Sequence, residues 1–304
     1  MFAMKVGMTV GTNYGGVPTP ESFFHYVDRV EEAGFDSLWV GDHIAWTNPT
    51  LEALTTLACY VARTKRVTIG TSVLIMPLRQ PVVLAKMLGT MAYLSNGRVV
   101  AGFGVGGENK KEFDACGVPH HQRGEIMDEA LDAMTRLWKE DGVTFHGKHF
   151  SFDNLSLDPK PPRLPIYIGG RSEAAYQRAA RWADGYIAVF SSQRHFSDAK
   201  QAIEAFGAKQ GMEWVQYEYM HVSPSREQSK AKALDYLNRT YNMDFGERVE
   251  RFASFGPGEQ IAERIREFRD LGATHLIINP TCPPVEKHDQ LEAVISEVLP
   301  LIRK

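Results

Sequence analysis

Lys86-Met87-Leu88-Gly89-Thr90-Met91-Ala92-Tyr93-Leu94-Ser95-Asn96-Gly97-Arg98-Val99-Val100-Ala101 reads as a helix, a stop and a strand in immediate succession. Gly97 stands just past the helical run, where a residue without a Cβ takes the left-handed backbone that ends a helix cleanly. The nearly continuous apolar run beyond it suits a parallel strand covered on both faces. The same order recurs along the chain. Val27 to Ala33 passes through Gly34 into Ser37-Leu38-Trp39-Val40, and Ala179 to Ala183 passes through Gly185 into Tyr186-Ile187-Ala188-Val189. Ile265 to Leu271 passes through Gly272 into Thr274-His275-Leu276-Ile277-Ile278. Further strands at Lys5–Val10, Val67–Ser72, Pro165–Gly169 and Tyr217–Val222 bring the number to eight. Eight βα units predict an α/β protein closed into a (β/α)8, or TIM, barrel.

The connecting segments agree with that architecture. Thr19-Pro20 and Gly256-Pro257 mark helix starts, and Phe23, Val27 and Val30, like Ile261, Ile265 and Phe268, are spaced to turn one apolar stripe toward the sheet. A long helix is predicted over Gln122–Lys139. Val143–Phe152 alternates about His146-Gly147-Lys148 and reads as a small hairpin inserted before the fifth strand. No low-complexity linker interrupts the chain, so residues 1–304 are expected to form one domain.

Composition narrows the partners. With 43% hydrophobic and 23% charged residues the chain can fill a sizeable core, and no window is apolar enough to span a bilayer. A net charge of −3 supplies no broad attraction to nucleic acid or anionic lipid, which leaves a small molecule as the expected partner. Met1–Val6 lacks the basic and apolar regions of a secretory signal, and Cys59, Cys116 and Cys282 make no Cys-x-x-Cys pair or disulfide framework. A reducing cytoplasm is the expected compartment.

Barrel enzymes carry their chemistry at the C-terminal ends of the strands. After the second strand, Gly41-Asp42-His43 pairs a carboxylate with an imidazole, although an Asp cap beside an incidental His reads equally from the residues. After the third, Thr71-Ser72-Val73-Leu74-Ile75-Met76-Pro77 suits a bulged strand end or an ordinary turn. After the fourth, Gly102, Gly104 and Gly107 match Gly-x-Gly-x-x-Gly, but the immediate helix and the later acidic residue of a dinucleotide site are missing. Close backbone approach to a flat ring or a phosphate accounts for these glycines better, with a tight loop as the plain alternative. After the fifth, Gly169-Gly170-Arg171-Ser172 opens a helix over Glu173–Ala183 and offers N–H, hydroxyl and guanidinium donors to an anion. Alternatively Ser172 only caps that helix while Arg171 sits in solvent. Trp46, in the loop beyond His43, is placed for substrate stacking or for packing. His120-His121 and His146-x-x-His149 lie in a polar loop and across a hairpin turn, so no metal site is expected.

Val67–Leu74, Pro77, Pro81, Ala85-Lys86, Leu94, Gly97-Arg98 and Gly102–Gly106 together resemble the luciferase-like monooxygenase superfamily. Pro165–Gly170, Ala183–Tyr186 and Ile278-Asn279-Pro280 extend the resemblance over essentially the whole chain. Asp42-His43 resembles a pair found in the branch that uses the deazaflavin coenzyme F420. The resemblance implies hydride transfer between F420 and a small organic substrate. It also implies a cis peptide at Ser72-Val73 behind the central ring of the cofactor and a cofactor contact from Asp42. His43 would be the proton donor or orienting group at the reacting carbon, with Glu108 as a second catalytic candidate. Gly104, Gly106, Gly169, Gly170, Arg171 and Ser172 would line ring and tail. Two departures stand out: Gly107 occupies the place of a Glu found in the sugar-phosphate dehydrogenases of this branch, with Glu108 one step later, and Trp46 lies one residue nearer the His than their aromatic. The substrate pocket is therefore expected to be reshaped. Because relatives are commonly dimers, a homodimer is expected. The competing functions are an FMN-dependent two-component monooxygenase and a cofactor-binding protein without turnover; a barrel aldolase lacks a strand-end lysine or a metal.

Overall fold

A computed structural model describes residues 4–10, 15–107 and 109–303. Eight strands form its centre: β1 (Lys5–Thr9), β2 (Ser37–Val40), β3 (Thr68–Thr71), β4 (Val99–Gly104), β5 (Ile166–Gly169), β6 (Gly185–Ala188), β7 (Glu213–Val222) and β8 (His275–Pro280). Each pairs in parallel with the next, and β8 closes on β1 through Lys5 opposite His275. The barrel read from the sequence is thus the one observed.

Helices cover the outside in the expected manner. Thr19 Oγ1 accepts from the Ser22 N–H at 3.2 Å, Pro20 opens the helix Pro20–Glu32, and Phe23, Val27 and Val30 are buried against the strands. The helix Gly258–Asp270 buries Ile261, Ile265 and Phe268 likewise. The long helix runs over Arg123–Leu137, slightly shorter than expected. The hairpin before β5 is present, with Val143–His146 antiparallel to Ser151–Leu155.

Two features were not read from the sequence. β7 begins at Glu213 rather than Tyr217, because Glu213, Gln216 and Glu218 interrupt the apolar pattern while each is held by hydrogen bonds. A short strand, Ala253–Gly256, pairs with the upper half of β7, whereas the lower half pairs with β6.

The barrel interior is filled by Trp39, Val100, Tyr167, Ile187, Val215, Tyr217, Tyr219 and Ile277. Gly70 makes room for the Trp39 ring, since a Cβ there would lie 2.5 Å from Trp39 Cζ3. Below Trp39 a polar chain seals the N-terminal end. Trp39 Nε1 donates to Ser37 Oγ at 2.7 Å, Ser37 Oγ meets His275 Nε2 at 2.7 Å, and His275 Nδ1 lies 3.3 Å from Glu213 Oε2. Lys5 Nζ closes the chain on Glu213 Oε1 at 2.5 Å. Burial would raise the Glu213 carboxyl, but bonds from His275, Lys5 and Tyr167 prevail and lower it to about 2. With this end plugged, space for a ligand is left at the opposite mouth. Among the described residues no helix is long and apolar enough to cross a membrane.

Candidate active site

A cavity of about 430 Å³ opens at the C-terminal ends of the strands. Asp42, His43, Ser72, Val73, Gly104, Gly106, Gly169, Gly170, Arg171 and Ser172 all line it, so four separate strand ends converge on one space. Glu108 lies outside the described residues.

The wall between β3 and β4 is built by glycine. The Ser72–Val73 peptide is cis. The Val73 side chain lies against both Gly104 and Gly169, where an added Cβ would come within 2.6 Å and 2.9 Å of its methyls. No larger residue fits either position, and Val73 is thereby presented to the cavity. Beside it, Ser72 Oγ is buried without a hydrogen-bond partner. A buried hydroxyl left unpaired on a cavity wall is a group that a bound ligand would satisfy.

At the end of β5 the loop caps a helix and also borders the cavity. Ser172 caps the helix Glu173–Trp182 by accepting from the Ala175 N–H at 3.3 Å, while Gly170, Arg171 and Ser172 line the cavity. Arg171 is turned toward Phe190, with its guanidinium carbon 5.9 Å from the ring centroid.

His43 is held by a residue that the sequence did not single out. Glu112, buried in the short helix Lys110–Ala115, lies with Oε2 3.1 Å from His43 Nδ1 and accepts through Oε1 from the Ile44 and Ala45 N–H groups at 2.6 and 2.9 Å. Burial raises the Glu112 carboxyl, yet the bonds from His43 and these amides outweigh it and bring it below its ordinary value. An ionised carboxylate only accepts, so His43 Nδ1 must carry the hydrogen, and Nε2 is left to give or take a proton. Trp46 stacks on the imidazole at 3.8 Å between centroids, and its Nε1 donates to the Thr240 carbonyl at 2.7 Å. The indole thus packs on the catalytic candidate and ties its loop to the helix Arg226–Tyr241.

Asp42 has a more structural environment than its position suggested. Arg79 donates to its two oxygens at 2.5 and 2.7 Å, and the Ile75 N–H donates at 2.8 Å. Burial outweighs the pull of Arg79 and leaves this carboxyl above its ordinary value. The pair fixes the segment after β3 that carries Val73. The far wall is aromatic: Phe190, Tyr217, Tyr219 and Tyr241. Phe190 directly follows the β6 run, so the strand-end rule could have found it; Glu112 and Arg79 reach their partners across 69 and 37 residues and left no local signal.

The family model described as luciferase-like monooxygenase matches residues 2–275. This chain belongs to the luciferase-like monooxygenase family. Among curated relatives of this family member, an F420-dependent glucose-6-phosphate dehydrogenase of Amycolatopsis mediterranei is 28% identical, with 99% of each chain covered. A 5,10-methylenetetrahydromethanopterin reductase of Archaeoglobus fulgidus is 26% identical, covering 92% of this chain and 95% of the relative. A solved F420-dependent secondary alcohol dehydrogenase, in complex with an F420-acetone adduct, covers 100% of both chains with a TM-score of 0.85 at 21% identity, which places this luciferase-like protein in the same fold.

Proposed function

We propose that this luciferase-like protein is an F420-dependent oxidoreductase acting on a small organic substrate. The observation that carries the reading is the convergence of the Val73 wall, the Ser172 helix start and the His43–Glu112 pair on one cavity. The residues fit such a cofactor: Gly104 and Gly169 let Val73 stand as an apolar wall against which a flat ring can lie, Ser72 Oγ supplies an unpaired polar atom, and Gly170, Arg171 and Ser172 offer donors to an anionic tail. When bound, coenzyme F420 supplies a centre that takes or gives a hydride.

The protein's own part is orientation and the proton. Glu112 holds the His43 ring through Nδ1 and leaves Nε2 free for the proton, while Trp46, stacked on the imidazole, keeps the ring from rotating and would bound the substrate beside it. Gly104 and Gly106 face the ring, and Asp42, which lines the same cavity, contacts the cofactor while it anchors the segment after β3 with Arg79. Glu108 is the second candidate for handling the proton. The one-domain reading of residues 1–304, a homodimer and a cytoplasmic setting belong to the same proposal; the three free cysteines support the last.

The test is a fluorescence titration with F420 and FMN side by side. Saturable F420 binding at lower concentration than FMN supports the proposal. Preference for FMN, with oxygen consumed when reduced FMN is supplied, replaces it with a two-component monooxygenase, and tight F420 binding without turnover on any substrate leaves a binding protein.

A further inference from the structure

The aromatic far wall of the cavity bears on what the enzyme acts upon, and the inference drawn from it rests on the hydride-transfer reading. Phe190 stacks on Tyr219 at 5.1 Å and meets Tyr241 edge-on at 4.9 Å, while Trp46 meets Tyr241 edge-on at 6.1 Å. Phe190 holds φ at 50°, a backbone region unfavourable to a bulky residue, and packs among Tyr219, Tyr241, Phe245 and Phe252. The fold therefore accepts local strain to keep an aromatic face at the mouth. The hydroxyls of Tyr219 and Tyr241 are hydrogen-bonded to each other, so the pair presents mainly ring surface.

Charge is distributed just as unevenly. Among the described residues lining the cavity, Arg171 is the one side chain with a permanent positive charge, and it stands at the helix start already assigned to the cofactor tail. Arg79 is committed to Asp42 and Glu52. Asp42 is neutralised by that pairing, and Glu112 adds negative charge beside His43. A phosphate group held against this wall would lose water without gaining a cation, which is strongly unfavourable.

We infer that the substrate half of the cavity takes an uncharged compound with a cyclic or aromatic body and one carbonyl or hydroxyl group that meets His43, rather than a sugar phosphate. Recognition then comes from apolar burial and ring contacts, with the imidazole as the single polar address.

The experiment first measures F420 binding by fluorescence, which tests the functional reading by itself. Dissociation constants for acetone, cyclopentanone, cyclohexanone, acetophenone and glucose 6-phosphate are then measured by calorimetry on the protein with and without F420, so that the two failures can be told apart. Affinity should rise about 2- to 4-fold for each added ring carbon and be greatest for acetophenone. Glucose 6-phosphate should bind at least about tenfold more weakly than cyclohexanone, in line with an uncompensated phosphate. Tyr241→Ala should weaken cyclohexanone roughly 5- to 10-fold and acetone much less. Equal or tighter binding of glucose 6-phosphate, no trend with apolar size, or no binding of any ketone overturns the inference, and the wild-type series decides this even if the variant fails to fold.

Discussion

Replacing Glu112 by Gln changes one atom and removes one charge, and its consequences can be worked out bond by bond. The Gln carbonyl can still accept from Ile44 and Ala45, now without charge assistance, while its NH₂ group is turned toward His43 Nδ1. A donor facing that nitrogen favours the imidazole with Nδ1 bare and the hydrogen on Nε2, the reverse of the wild-type arrangement. Weakening three bonds at a buried carboxylate should destabilise the protein by about 1–3 kcal/mol. Reversing the tautomer removes the proton-accepting atom from the cavity, so single-turnover hydride transfer should fall by roughly 10²–10⁴, the range for loss of an acid–base group. F420 affinity should change little. The assay is stopped-flow absorbance of F420 with a ketone or alcohol found in the binding series, together with ¹⁵N NMR of the His43 ring. The acid side supplies a further check. The Glu112 carboxyl is lowered below its ordinary 4.5, so its stabilisation is complete above that pH and is lost as the pH falls through the folded value; the gap between wild type and variant should close on acidification. An unchanged ring tautomer with transfer within about threefold of wild type, when loss of such a group ordinarily removes far more, would refute the positioning role.

His43→Ala should lower transfer by roughly 10²–10⁴ while F420 affinity, measured by fluorescence, stays close to wild type; undiminished transfer would leave it a structural residue. Asp42→Asn should destabilise, by about 1–3 kcal/mol in denaturant unfolding, because Arg79 would lose its bidentate partner and keep Glu52. Gly170→Val places a side chain at φ 139° with its Cβ 2.7 Å from Ala175 Cβ; F420 affinity should drop at least tenfold, on the scale of one lost anchoring contact, and wild-type binding by a folded variant would remove the tail from this loop. Glu213, with its carboxyl at about 2 against an ordinary 4.5, stabilises fully above pH 4.5 and loses that contribution between there and pH 2. After allowance for solvent screening the loss is on the order of 1–3 kcal/mol, and Glu213→Gln should flatten the acid limb of a thermal-stability profile.

The barrel was legible because its signal is local and repeated: a glycine such as Gly97 or Gly272 and the apolar run behind it lie within a few residues of each other. The residues that line the cavity were legible for a related reason, since His43, Ser72 and Gly170 follow strands, Gly104 ends one, and the closed sheet brings strand ends together. What escaped depended on the third dimension. Ala253–Gly256 has no apolar run and is a strand only because the upper half of β7 leaves an edge for it. The Arg79 partner of Asp42 could not be seen in the sequence, and His43 could not be assigned a tautomer until Glu112 was in place. Polar residues in β7 hid its true start, because a buried polar group reads as a surface one until its partner is known.

The sealed end of the barrel has a bearing on how enzymes are recognised by shape. Ser37, His275 and Glu213 stand in the sequence hydroxyl, imidazole, carboxylate at distances that a three-residue hydrolase template would accept. Ser37 is wholly inaccessible, and its oxygen already accepts from the Trp39 indole. Buried in this way, it is out of reach of any ester or amide. The same arrangement that elsewhere cleaves acyl bonds acts here as a bung, and a geometric search of unassigned proteins should weigh the room around a nucleophile before it counts the bonds behind it.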